Sequence, residues 1–435
     1  MSFKSFDLNP AILKSIDKCG YTEPTPIQAE AIPKVLAGQD VIASANTGTG
    51  KTAAFVLPTL HLLTKKKHYK KQRGQPSVLI LTPTRELANQ VTQAIRDYGK
   101  NLRIFSVSLV GGMPYGPQLR SLSKPIDIVV ATPGRLIDHI ENRNIDLSAV
   151  NMLILDEADR MLDMGFVDEV TKIANFTSKE RQTLLFTATW DGKMANLARS
   201  LLNDPQRIAM DEKPTQENIE QRLHVADDVG HKNRLLQHLL DDDSLTQAII
   251  FSATKLGADI LARDLKTQGY SAAALHGDMK QAARNRTLQN MRRGKLRLLV
   301  ATDVAARGID MTSVSHVINF DIPRFAEDYV HRIGRTGRAG SSGIAISFAL
   351  PSDLLHLERI EKYTGQRVPR LTIPGLEPKR SLERKKKKRK YNSKGYSKSG
   401  RSSYADPKRK PSGRHLNQPP AHRRKQRAAN KKTAA

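Results

Sequence analysis

A single cysteine, Cys19, in 435 residues excludes an internal disulfide and any thiolate cluster for zinc or iron–sulfur ligation. The twelve histidines are scattered without metal-ligand spacing. No apolar run approaches the roughly 20 residues that cross a bilayer, and the opening Met1-Ser2-Phe3-Lys4-Ser5-Phe6-Asp7 lacks the apolar stretch of a secretory signal. The expectation is a soluble, cytoplasmic protein of a reducing compartment with no membrane partner. Acid is scarce as well: 43 Asp plus Glu stand against 71 Lys plus Arg, a formal net charge of +28. An excess of that size attracts polyanions and speaks to binding rather than to fold.

The charge is not spread evenly. Residues 379–435 hold 22 Lys plus Arg against two acids, Glu383 and Asp406, a balance of +20 that leaves +8 for everything before them. After Pro369 the apolar spacing disappears, and such a composition buries too little apolar surface to offset the entropy of ordering. Residues 371–435 are therefore expected to be a disordered basic tail.

Ahead of the tail, short continuous apolar runs recur. The first series is Asp40 to Ala43, Val78 to Leu81, Ile126 to Val130, Met152 to Leu155 and Leu184 to Phe186. The second is Ala248 to Phe251, Leu298 to Ala301, Val317 to Phe320 and Ile344 to Phe348. Continuous rather than alternating hydrophobicity marks strands covered on both faces, as in a parallel sheet wrapped by crossover helices. Two series predict two successive α/β domains, 33–210 and 221–370, after an N-terminal motif region, 1–32. The polar, proline-containing stretch within 211–220 reads as the linker.

The segment Ala45-Asn46-Thr47-Gly48-Thr49-Gly50-Lys51-Thr52 follows the first run and precedes a helical pattern. Glycines let backbone N–H groups turn inward around phosphates, Lys51 supplies a point charge, and the Thr52 hydroxyl suits Mg²⁺. Ala45 stands where such loops usually carry glycine. Leu153-Ile154-Leu155 ends in Asp156-Glu157, two carboxylates at the carboxyl edge of a buried strand, where open α/β sheets bind ligands. Asp156 suits Mg²⁺ held through water, and Glu157 suits an attacking water. Alone, either element reads as a helix start or a solvated acidic turn; together they point to ATP and Mg²⁺.

Two further segments share one design: Thr82-Pro83-Thr84-Arg85 and Thr132-Pro133-Gly134-Arg135 each follow an apolar strand with an N-cap, a proline for the first helical turn and an arginine. Exposed N–H groups beside a cation form a phosphate seat that positions a strand without reading its bases. Mere helix capping is the bland alternative, and Gly111-Gly112 nearby favours the nucleic-acid track. Arg335 and Arg338, three residues apart in a glycine-containing loop, can aim at one phosphate as arginine fingers or sit as a solvated basic loop.

Asp156-Glu157-Ala158-Asp159 resembles the signature of the DEAD-box RNA helicases, and the other motifs agree in order. Gly20-Tyr21-Thr22-Glu23-Pro24-Thr25-Pro26-Ile27-Gln28 resembles that family's Q motif. Pro83 to Leu87, Gly111-Gly112, Thr132 to Arg135, Thr187-Ala188-Thr189, His276 to Arg284, Ala301 to Asp310 and His331 to Arg338 continue it. The likeness runs from Phe3 to about Pro369, and the layout is similar to the bacterial RhlE-like type. It implies two tandem RecA-like (P-loop NTPase) domains and ATP-dependent local unwinding of RNA. By the same resemblance Gln28 reads the adenine edge, Phe3 stacks on the base, with Phe6 as a competing candidate, and Tyr21 belongs to the ATP site. Asp310 would contact the ribose. Asp159, Thr187, Thr189 and His331 would couple hydrolysis to unwinding, and Arg284 and Thr302 would face RNA. The family usually has Ser-Ala-Thr where this chain has Thr187-Ala188-Thr189; the added methyl bears on coupling.

The tail, with Arg384 to Lys390 and tyrosines at Tyr391, Tyr396 and Tyr404, suits electrostatic capture of RNA. A solubilising appendage or a nuclear address is the alternative. Two rival functions remain, an ATP-timed assembly factor or annealing chaperone and a DNA-translocating motor; a scaffold without activity fits least. The layout points to structured or ribosomal RNA and to ribosome-assembly or RNA-decay partners by analogy, and oligomeric state stays open.

Overall fold

Four-residue apolar runs become the inner strands of two parallel sheets, because only a strand covered on both faces tolerates them. The computed structural model describes residues 2–45, 49–65, 73–209, 218–306, 314–337, 342–380 and 382. These belong to one compact unit, Met1–Arg384; the second unit, Lys385–Ala435, lies outside the described residues, as do 211–217 of the expected linker.

The amino-terminal domain runs α1 (Pro10–Lys18), α2 (Pro26–Leu36), β1 (Val41–Ser44), α3 (Lys51–Lys65), β2 (Val78–Leu81), α4 (Arg85–Tyr98), β3 (Ser106–Leu109) and α5 (Tyr115–Leu122). It continues with β4 (Ile128–Ala131), α6 (Pro133–Glu141), β5 (Met152–Leu155), α7 (Ala158–Asp163), α8 (Val167–Asn175), β6 (Gln182–Thr187), α9 (Gly192–Leu201) and β7 (Gln206–Ala209). Its strands lie in the order β3-β4-β2-β5-β6-β1-β7, every pair parallel. Alternate residues feed two cores: Val78, Ile80, Met152 and Ile154 pack on one face, and Leu79, Leu81, Leu153 and Leu155 on the other. Helix α4 shows why the covering helices form: Leu87, Val91, Ile95 and Tyr98 recur at helical spacing on its buried side, and the Thr84 hydroxyl caps its start.

The carboxy-terminal domain runs β8 (Ile219–Val225), α10 (Val229–Leu240), β9 (Ala248–Phe251), α11 (Lys255–Thr267), β10 (Ala272–Leu275) and α12 (Gln281–Arg292). It ends with β11 (Leu298–Ala301), α13 (Asp303–Ala306), β12 (His316–Asn319), α14 (Ala326–Ile333), β13 (Gly343–Ala349) and α15 (Leu354–Thr364). The parallel order is β10-β11-β9-β12-β13-β8.

Two expected boundaries shift. Ile219 and Glu220, placed in the linker, already pair with β13 as the start of β8. The fold also runs past residue 370. Leu223 N–H donates to the Pro369 carbonyl at 2.8 Å and Leu371 N–H returns the bond to Leu223 at 2.8 Å. Ile373 and Leu382 are buried, and Asp227 accepts the Lys379 and Arg380 N–H groups. A few isolated apolar residues suffice there because they close over an existing sheet edge rather than build a core. Among the described residues no helix is long and apolar enough to cross a membrane.

Candidate active site

The phosphate-loop residues that are described converge where β1 ends. Ala45 N–H extends the sheet by donating to the Thr187 carbonyl at 3.0 Å. Lys51 opens α3, is buried, and donates from Nζ to the Ala45 carbonyl at 2.8 Å. Gly50 sits at φ +89°, and a Cβ there would collide with the Gln28 amide, so both the dihedral and the space require glycine. Gln28 Nε2 donates to the Gly50 carbonyl at 3.1 Å, its Oε1 accepts the Thr25 N–H at 3.1 Å, and the Thr25 hydroxyl donates to the Thr49 carbonyl at 2.8 Å. The Q-motif glutamine thus braces the loop through a capping box at the start of α2. Asn46, Thr47 and Gly48 lie outside the described residues.

Phe3 and Tyr21 both have aromatic side-chain partners in this structure. Phe3 is 4% exposed, part of the hydrophobic core, and edge-on to Phe6 at 6.2 Å, so it is a core residue in this structure. Tyr21 hydroxyl shares a hydrogen bond of 3.1 Å with Tyr98 at the end of α4.

Asp156 terminates β5, 3% exposed, with its N–H on the Leu81 carbonyl at 3.0 Å. Burial, then the neighbouring Glu157, pushes its carboxyl up to about 7, and Lys51 acts in the opposite sense. Glu157 holds a left-handed backbone, φ +53°, at the start of α7. For a side-chain-bearing residue that costs on the order of 1–3 kcal/mol, a strain typical of functional turns. Among the described residues no three or more His, Cys, Asp or Glu gather as a metal cage. One buried, under-compensated carboxylate and the half-buried Thr52 hydroxyl form a sparse oxygen set. That set fits Mg²⁺, an ion that keeps waters and substrate phosphates as its remaining ligands.

Asp159 binds the loop after β6. Its Oδ2 accepts the Ala188 N–H at 3.2 Å, the Thr189 N–H at 3.1 Å and the Thr189 hydroxyl at 3.3 Å. The Thr187 hydroxyl instead donates to the Thr189 carbonyl at 2.7 Å. The tie to the acidic motif is therefore made by Thr189 and two backbone N–H groups, and Thr187 shapes the loop that offers them.

The expected nucleic-acid track is assembled differently from its sequence pattern. In the first segment Thr84, not Thr82, caps the helix, and Pro83 precedes it; in the second Thr132 caps α6 with Pro133 at its first turn but makes no side-chain cap bond. Gly111 packs against the Arg85 guanidinium, and a Cβ on Gly112, φ +66°, would overlap it. The Gly111-Gly112 loop is also held by Arg135, which donates to the Met113 carbonyl at 3.2 Å and lies over the Tyr115 ring at 5.4 Å. Gln118 Nε2 adds a bond of 3.2 Å to the Val110 carbonyl. Arg85 donates across the cleft to Gln281 at 3.0 Å. Arg284, expected to face RNA, is buried and grips Glu86 of the other domain at 2.5 and 3.1 Å. Thr302 is 9% exposed, at the end of β11, and Gly134 is exposed on the first turn of α6.

A second bridge spans the cleft beside Asp159. Arg160 donates to Asp328 of α14 at 2.7 Å, with both side chains close to fully buried. Arg160, Asp328, His331 and Arg335 line one small cavity between the domains, so the C-terminal end of α14 meets the acidic turn. Arg332, within the His331 to Arg338 motif but given no role there, fixes that end by donating to both Asp303 oxygens at 2.5 and 2.8 Å. Arg338 and Asp310 lie outside the described residues. Glu86, Gln281, Arg160 and Asp328 were missed because their partners lie about 170 to 200 positions away in the chain, where no local spacing signals a pair.

Residues 25–197 match the DEAD/DEAH box helicase family, and residues 231–340 match the helicase conserved C-terminal domain. The ATP-dependent RNA helicase SrmB of Haemophilus influenzae is 43% identical over 380 residues, 87% of this chain and 86% of that protein. The DEAD-box ATP-dependent RNA helicase CshA of Bacillus subtilis is 40% identical over 377 residues, 87% of this chain and 75% of the relative. S. cerevisiae Dbp5 bound to RNA and ADP BeF3 aligns with a TM-score of 0.76 at 32% identity, over 85% of this chain and 95% of that one. Identity and coverage of this extent show that the chain belongs to the DEAD-box ATP-dependent RNA helicases.

Proposed function

We propose that this helicase opens short RNA duplexes locally and without processive travel, by closing its two domains around ATP and one RNA strand. The observation that carries the reading is the buried Arg160–Asp328 pair, which joins the turn holding Asp156, Glu157 and Asp159 to the helix leading to His331 and Arg335. The likeness to Dbp5, whose structure holds RNA and ADP BeF3, supports an RNA-bound, nucleotide-bound closed form here too.

In that form Lys51 and the loop N–H groups bind the phosphates, and Gln28 reads the adenine. Thr52 and Asp156 would hold Mg²⁺, which supplies charge neutralisation at the phosphates when bound. Glu157 orients the attacking water and accepts its proton. Arg335 and Arg338 bring positive charge from the second domain to the phosphate where negative charge grows, a contribution on the order of 10³ to 10⁵ in turnover. Arg85, Arg135, Thr84, Gly111, Gly112, Thr132, Gly134 and Thr302 line the strand's path. Each lost stacking step costs on the order of 1.4 kcal/mol, taking the DNA figure, so bending one strand opens only a few pairs. The basic tail tethers RNA, and structured or ribosomal RNA in the cytoplasm, with ribosome-assembly or decay partners, is the proposed setting.

Strand displacement on short and long duplexes, alongside ATP turnover with RNA and with matched DNA, tests the reading. RNA-specific stimulation and displacement that fades with duplex length are expected. Equal turnover without any polynucleotide, or ATP-dependent annealing with no displacement of short duplexes, would overturn it in favour of a timed chaperone.

A further inference from the structure

Helix α12 has two ends of different character. Its first turn is fastened to the amino-terminal domain, Gln281 by Arg85 and Arg284 by Glu86. From Arg284 it runs on for about 12 Å beyond that contact, at 1.5 Å per residue. Between Asp278 and Asp303 the sequence contains no acid. Two of its cations serve the fold: Arg284 binds Glu86, and Arg297 donates to the Leu240 and Leu245 carbonyls. The other five, Lys280, Arg286, Arg292, Arg293 and Lys295, are exposed, and none has a side-chain partner among the described residues.

Elsewhere Lys34 meets Glu30 at 2.9 Å, Lys172 meets Glu141 at 2.7 Å and Lys255 meets Asp278 at 2.6 Å, pairings that a stretch without acids cannot make within itself. Leu288 and Met291 bury the opposite side of α12, so the helix presents its cations outward because its apolar stripe fixes its rotation. Arg286 and Arg293, seven residues apart, share one outward stripe with about 10 Å between them. Like charges this close repel and add nothing to the stability of the free protein, whereas a row of phosphates compensates them all.

We propose that α12 and the turn after it form a phosphate-binding flank for double-stranded RNA adjoining the strand held in the cleft. A duplex stem is the favoured ligand because it presents two phosphate rows and releases more counterions per contact than a single strand. The proposal rests on the helicase reading above and adds a site to it; an acidic protein surface is the rival occupant.

The test uses the full chain carrying R286Q/R292Q/R293Q and two RNAs, a short single strand and the same strand extended by a hairpin stem. For the stem-bearing RNA, affinity should fall about tenfold or more at moderate salt, and the slope of log affinity against log salt should shrink by about two to three. Affinity for the short strand, and the maximal ATP turnover it stimulates, should stay as in the unaltered protein. Unchanged affinity for the stem-bearing RNA overturns the proposal, including the case in which the patch serves an acidic protein, and so does an equal loss on both RNAs. Should the triple variant melt at lower temperature, R286Q and R293Q singly should each remove about one from the slope. Failure of the helicase reading shows instead as absent RNA-stimulated turnover in the unaltered protein, which leaves the binding comparison intact.

Discussion

Asp156 has lost its water without gaining a full counter-charge, and its titration carries the consequence. Its carboxyl is pushed up to about 7, first by burial and then by Glu157. In the unfolded chain the same group releases its proton near pH 4. Between those values the folded state holds a proton that the unfolded state has lost, so ligand-free stability falls as pH rises from about 4 to about 7 and stays reduced above. The variant D156N should therefore raise the melting temperature by a few degrees at pH 8 and leave it little changed at pH 4, with RNA-stimulated turnover lost at both. Equal thermal shifts at the two pH values, read by calorimetry, would contradict this. At this scale the phosphate loop and the acidic pair were legible, since their chemistry is local. Arg85 and Arg284 were read as RNA contacts from their motifs alone; only the folded chain brings Gln281 and Glu86 against them.

The elements divide along a simple physical line. Every strand anticipated from a continuous apolar run is an inner strand of its sheet, and the four unanticipated strands, β3, β7, β8 and β10, are the four sheet edges. Edge strands are covered less completely, so Ser-Val-Ser-Leu and Gln-Arg-Ile-Ala carry no such run, and Ala-Ala-Ala-Leu is a run of mostly small side chains that gives only a weak signal. The bridge between α7 and α14 gives the prediction proper to this scale. Removing one member of a buried pair strands the other, at roughly 3–5 kcal/mol, a cost expressed chiefly when the domains close. R160D and D328R should each cut RNA-stimulated turnover at least about tenfold and raise the RNA concentration needed for half-stimulation. The combined R160D/D328R protein should recover part of both, by about 1–3 kcal/mol of coupling. A double variant no better than the worse single one would assign the pair no role in closure.

For the whole molecule the position of the final packed residues decides how the tail is to be removed. A chain ending at Arg384 keeps Leu382 in its core and the Lys379 and Arg380 N–H groups on Asp227; one ending at Pro378 loses all three. The chain ending at Arg384 is expected to bind RNA more weakly, with a flatter salt dependence and near-full maximal turnover. The shorter chain should in addition be less stable by about 1.5–3 kcal/mol, the worth of one buried leucine, measured by denaturant titration. Unchanged salt slopes in both would remove the tail from RNA binding.

The strap Pro369 to Leu371 has a bearing beyond stability. By exchanging bonds with Leu223 it occupies the rim of β8, a seven-residue strand that would otherwise offer its outer backbone groups to any extended peptide. The chain thereby serves as its own stopper. A copy that has lost or loosened this short segment would be templated toward strand-to-strand stacking with its neighbours, and cloudiness in concentrated solution would reveal it before any loss of catalysis did.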